Sequence, residues 1–182
     1  MFHFKLTTKY IIVSLLAVVF SFFFHELSHW LAGKMLSYNM TMTLNAVTIT
    51  KGVYLKSWHE NFVSAAGPVF TILQAIVAYK IIMHNKNMLL YPFLFFPLYM
   101  RSLAGVLNFI NLNDEGRISN SIGIGTFTLS ILVCSLLLFL VIKVSKQNNL
   151  SKRFQFINFI LAMVFSSVII MADQFLHIKI IK

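Results

Sequence analysis

Charged side chains vanish from this chain in long runs, and the runs are spaced like membrane spans. Tyr10 to Phe24 carries no charge, and its helical signal continues to about Leu36, long enough to cross a bilayer. From Ser37 to Trp58 the period changes. Met40-Thr41-Met42-Thr43-Leu44-Asn45 alternates apolar and polar, Val47-Thr48-Ile49-Thr50 repeats it, and Lys51-Gly52 offers a turn before Val53-Tyr54-Leu55. This predicts a small β-hairpin or sheet at the membrane surface. Apolar runs resume over Phe62 to about Met83, Met88 to Leu112, about Ile122 to Ile142 and about Phe154 to Met171. The pattern predicts an all-α polytopic membrane protein of about five transmembrane helices, with the hairpin after the first, in one membrane-embedded domain over 1–182.

Composition agrees. The chain is 58% hydrophobic and only 11% charged, against about 25% charged in ordinary soluble domains. A net charge of +10 would suggest nucleic acid in a soluble protein. Here the basic residues sit in loops beside lipid headgroups, with no basic stripe interleaved with stacking aromatics, which argues against nucleic acid. The single cysteine, Cys134, lies in an apolar run and excludes both a disulfide framework and a Cys-type zinc site. Met1 to Lys9 is a basic lead like that of a secretory signal. No small-residue cleavage site closes the run, so it reads as a retained first span.

The chemistry stands at the far end of that span, in Phe22-Phe23-Phe24-His25-Glu26-Leu27-Ser28-His29-Trp30. At helical spacing His25 and His29 share a face one turn apart, which lets two imidazoles bind one Zn²⁺ at about 2.0 to 2.1 Å each. Glu26 is then free to act as a base. With six histidines and three glutamates in 182 residues, this His-Glu-x-x-His pattern arises by chance in roughly 0.003 of shuffled sequences. Ionisable groups inside hydrocarbon cost about 2.5 to 3.5 kcal/mol or more each, which weighs further against an accidental cluster.

Three other stretches bear on the site. Ser64-Ala65-Ala66-Gly67-Pro68 opens the second long run with small residues that allow close helix approach. The third run is broken by Pro92 and Pro97 and carries Arg101, expected to pair with Glu115 or Asp173 or to snorkel. Asn108 to Ile118 ends in the acidic pair Asp114-Glu115 followed by Gly116-Arg117. His59-Glu60 and Asp173 read as interfacial residues, and Gly123 and Gly125 as points of close helix contact.

His25-Glu26-x-x-His29 in a span, then Ala66-Gly67-Pro68, then an Asn-rich turn into Asp114-Glu115-Gly116-Arg117-Ile118, resembles the site-2 protease family of intramembrane zinc metallopeptidases. The resemblance covers about residues 10–125 and implies a three-helix catalytic core there, with accessory helices at about 122–142 and 154–172. It implies Asp114 as the third zinc ligand, with Glu115 as runner-up. Asn108, or alternatively Asn111, would bind substrate backbone or the oxyanion. The chain departs from the family pattern where Glu115 replaces a glycine, where no proline follows Asn108, in a shorter spacer, and at Thr71. The implied activity is hydrolysis of peptide bonds in or near transmembrane segments at the cell membrane. Zn²⁺ would be the cofactor, and the partners a transmembrane protein substrate and the lipid bilayer, with room for a separate regulatory protein; five spans in 182 residues are expected to leave no room for an appended regulatory domain. An edge strand of the hairpin would pair with an unwound substrate segment. The rival readings are a metal-binding membrane protein without hydrolytic activity, which needs the histidines but not Glu26, and an inactive scaffold, which needs neither. Eight basic residues fall on the N-terminal side (Lys5, Lys9, Lys80, Lys86, Lys143, Lys146, Lys152, Arg153) and six on the other (Lys34, Lys51, Lys56, Arg117, Lys179, Lys182). The count leans towards a cytoplasmic N-terminus, and the resemblance implies the reverse.

Overall fold

The computed structural model describes residues 7–176 and 179–181, so Met1 to Leu6 of the basic lead, with Lys5, and Lys182 lie outside the described residues. Helix α1 (Thr8–Met35) starts where the Thr7 hydroxyl accepts from the Tyr10 N–H. It is followed by strands β1 (Met40–Met42) and β2 (Val47–Ile49), then α2 (Ser57–Asn85), a 3₁₀ turn (Met88–Leu90) and α3 (Tyr91–Leu107). Helices α4 (Asp114–Ser121), α5 (Thr128–Gln147) and α6 (Lys152–Leu176) complete the order. Five of these segments are long and apolar enough to cross a membrane. Large aliphatics such as Leu16, Val77, Ile131 and Val168 stand exposed on the bundle's outside, as lipid-facing residues would.

Several boundaries differ from the sequence expectation. The third apolar run does not stay helical to Leu112: α3 ends at Leu107, and Phe109, Ile110 and Asn111 fold back in a turn through N–H bonds to Val106 and Leu107. The acidic cluster is not a turn but the start of α4, because the Asn113 side chain accepts from the Gly116 N–H at 2.6 Å and caps it. Gly123 and Gly125 make no close helix contact. With φ of 75° and 91° they form the turn between α4 and α5, which therefore begins at Thr128 rather than Ile122. The hairpin turn is Thr43 to Ala46, closed by Thr43 N–H to Ala46 C=O at 2.9 Å, whereas Lys51-Gly52 is only a bend after β2.

Helices in lipid gain little from apolar burial against each other, so packing and interhelical hydrogen bonds carry the association. At the end of the bundle near Thr8, Tyr10 and Tyr91 pack with Leu94, Leu137 and Phe154. Their hydroxyls donate to Asn158 Oδ1 at 2.6 Å and Gln155 Oε1 at 2.5 Å, tying α1 and α3 to α6. In the middle, Pro97 has no N–H for the carbonyl of Phe93 one turn back, and Gln74 of α2 supplies the donor at 3.0 Å. Gln74 also donates to Ser21 of α1 at 2.8 Å, so one amide joins three helices. At the opposite end, Ala32, Val63 and Met40 form the layer beneath the hairpin.

The hairpin is fixed from both sides. Strand β1 pairs with β2 in antiparallel register, and on its other edge Met42 bonds the backbone of Ile180 and Ile181. Asp173 of α6 accepts from the Leu44 N–H at 2.9 Å and the Thr43 hydroxyl at 3.0 Å, so it holds the hairpin turn rather than Arg101.

Candidate metal centre and cavity

The helical spacing of α1 puts the His25 and His29 rings edge to face, with Nε2 atoms 3.1 Å apart. Gly67 of α2 packs directly against both: a Cβ at that position would run into the two imidazoles. His29 Nδ1 lies 2.6 Å from the Val63 carbonyl, which can only accept, so this nitrogen carries the proton and Nε2 presents its lone pair. Both contacts come from α2, one from Gly67 in the small-residue stretch and one from Val63 just before it. Pro68 sits inside that helix, where its missing N–H loosens the ladder just beyond Val63.

Asp114 arrives from the first turn of α4. Its Oδ2 lies 3.3 Å from His25 Nε2 and 3.4 Å from His29 Nε2. Metal–ligand bonds of about 2.0 to 2.1 Å in a tetrahedron give edges of about 3.3 to 3.4 Å. The three donor atoms therefore stand where one ion could be held in common. His25 Nδ1 is buried without a hydrogen-bond partner among the described residues.

Asparagines build the turn that aims Asp114. Asn108 Oδ1 accepts from the Asn113 N–H at 2.7 Å and its Nδ2 donates to Ser130 at 3.1 Å, while Asn113 caps α4. Asn108 is thus spent on internal bonds and does not line the cavity, and Asn111 is exposed outside it. Asn113, not expected as a cavity residue, does line it. Of the two acidic neighbours, Asp114 faces the histidines, whereas Glu115 turns to Arg101 at 3.2 Å. Arg101 is buried rather than snorkelled, with Nη1 3.3 Å from Asp114 Oδ2. Arg117 adds a bond to Asp114 Oδ1 at 2.8 Å, an i,i+3 contact that the spacing in α4 makes legible once the helix is known.

His25, His29, Arg101, Asn113, Asp114 and Arg117 line a cavity of about 790 Å³. Glu26 reaches it, is 6% exposed, and makes no hydrogen bond or ion pair among the described residues. The lining also includes the apolar Phe22, Met100, Leu107 and Ile170, and Val47, Thr48 and Ile49 of β2. The Thr43–Ala46 and Thr50–Asn39 backbone bonds fix Thr41 and Thr48 as the hydrogen-bonded pair between them. Val47 and Ile49 consequently turn their N–H and C=O groups away from β1, towards the strand's other edge.

Comparison with protein-family models, curated proteins and solved structures finds no match.

Proposed function

We propose that this protein is an intramembrane zinc metallopeptidase of the site-2 protease type, a multi-pass protein of the cell membrane that hydrolyses peptide bonds in or near transmembrane segments of other proteins. The convergence of His25 Nε2, His29 Nε2 and Asp114 Oδ2 beside an unbonded Glu26 is the observation that carries this reading. His25, His29 and Asp114 are the residues that would hold the ion. Bound there, Zn²⁺ supplies Lewis acidity, bringing the pKa of water to about 7 and polarising the scissile carbonyl.

The remaining steps belong to the chain. Glu26 accepts the proton of the attacking water and delivers it to the leaving amide nitrogen, a role that suits a carboxylate with no other partner in the cavity. The outward N–H and C=O groups of Val47 and Ile49 can pair with an extended substrate backbone and so keep it unwound. That matters because a helical segment hides its peptide bonds in its own hydrogen-bond ladder. The apolar lining receives side chains that come from lipid.

Glu26→Gln tests the reading. The variant should bind zinc like the parent and cleave a reporter transmembrane peptide about 10²- to 10⁴-fold more slowly. Unchanged cleavage would remove Glu26 from the mechanism. A parent protein that binds zinc but cleaves no membrane peptide would favour metal binding without hydrolysis.

A further inference from the structure

Arg101 lies in α3, within a segment long and apolar enough to cross a membrane, and is 3% exposed, a costly place for a guanidinium. Glu115 balances its charge: both carboxylate oxygens lie 3.2 Å from Nη1. Charge balance alone would be complete there. The same Nη1 nevertheless also reaches Asp114 Oδ2 at 3.3 Å, and Nη2 stands 3.5 Å from His25 Nε2. The oxygen that Arg101 holds is the one that faces both imidazoles, while the other oxygen of Asp114 goes to the half-exposed Arg117. Asp114 and Glu115 are adjacent in the first turn of α4, so anchoring one on α3 fixes the direction in which the other approaches α1.

We propose that the buried Arg101–Glu115 pair is a positioning device for the metal centre: it holds Asp114 Oδ2 on the His25–His29 pair and thereby sets the site's affinity for a divalent ion. This rests on the metal-site reading above and adds to it two residues outside the donor set. The pair locks α3 to α4 beside the cavity and restricts the rotation of the Asp114 carboxylate about its own side chain. Groups that orient ligands in this way typically contribute 10- to 100-fold in metal affinity.

The test uses the full chain in detergent, with zinc alone as the probe and a chromophoric chelator as competitor. Two double variants, Arg101→Met/Glu115→Met and Arg101→Gln/Glu115→Gln, remove both charges together and leave no lone buried ion. Each should keep the parent's helix content and thermal unfolding in the metal-free form, yet bind zinc about 10- to 100-fold more weakly. Arg117→Gln, on the exposed side of the same carboxylate, should weaken zinc less than either double variant. A folded double variant of either kind that binds zinc within about twofold of the parent overturns the proposal. If the parent itself takes up no zinc, the metal-site reading fails first and takes this one with it.

Discussion

Gly67 shows how closely one position can be specified by the site it faces. Its hydrogen stands where any side chain would press on His25 and His29, and Val63, four residues earlier on α2, fixes the His29 tautomer. Gly67→Ala should therefore lower unfolding stability by about 1–3 kcal/mol through overpacking and also reduce bound zinc. Thermal unfolding and metal analysis of the same sample check both, and an alanine variant with full zinc occupancy would mean that the rings can move aside. The neighbouring carboxylates are separated in the same manner. Asp114→Ala should abolish zinc uptake measured by metal analysis, because it removes one corner of the donor triangle, whereas Glu115 points to Arg101 and cannot substitute without reorienting α4.

Elements are held by single polar contacts at places where the backbone lacks a partner. Pro97 strands the Phe93 carbonyl, and Gln74 satisfies it. Gln74→Leu should cost about 1–3 kcal/mol, since the Phe93 carbonyl then loses its donor inside the bundle. In a Pro97→Ala background the helix regains its own donor and the loss should shrink to roughly half or less, as a double-mutant cycle in detergent would reveal. Equal losses in both backgrounds would dissociate Gln74 from the proline. For the hairpin, Ile49→Pro removes an N–H on the outward edge without touching the ladder to β1. It should raise KM for a transmembrane peptide severalfold while zinc content stays at the parent's level; an unchanged KM would detach the strand edge from substrate binding.

Across the whole molecule, charge is divided between the two ends. Lys9, Lys80, Lys86, Lys143, Lys146, Lys152 and Arg153 gather at the end marked by Thr8, Asn85 and Lys152, and none of the five acidic residues lies there. Those five, Glu26, Glu60, Asp114, Glu115 and Asp173, all lie in the half that holds the cavity and the hairpin. A basic end free of carboxylates suits anionic headgroups. The bundle is joined by contacts remote from the histidines, such as Tyr10 with Asn158 and Tyr91 with Gln155. Treatment with a chelator should accordingly abolish cleavage while circular dichroism shows the helices intact, and added zinc should restore it. Loss of helix content on chelation would make the ion structural.

By itself the sequence determined what depends on composition and local period: five apolar runs, a two-residue alternation between the first two, and two imidazoles one helical turn apart beside a glutamate. These are properties of short segments, so they survive without knowledge of neighbours. Tertiary structure decided what depends on approach between segments far apart in the chain. It ended α3 at Leu107, made a capped helix of the acidic cluster, turned Asn108 inward, and sent Asp114 to the histidines and Glu115 to Arg101. Two adjacent carboxylates in one helical turn are equivalent to any reading of spacing. They become different only when one faces α1 and the other α3.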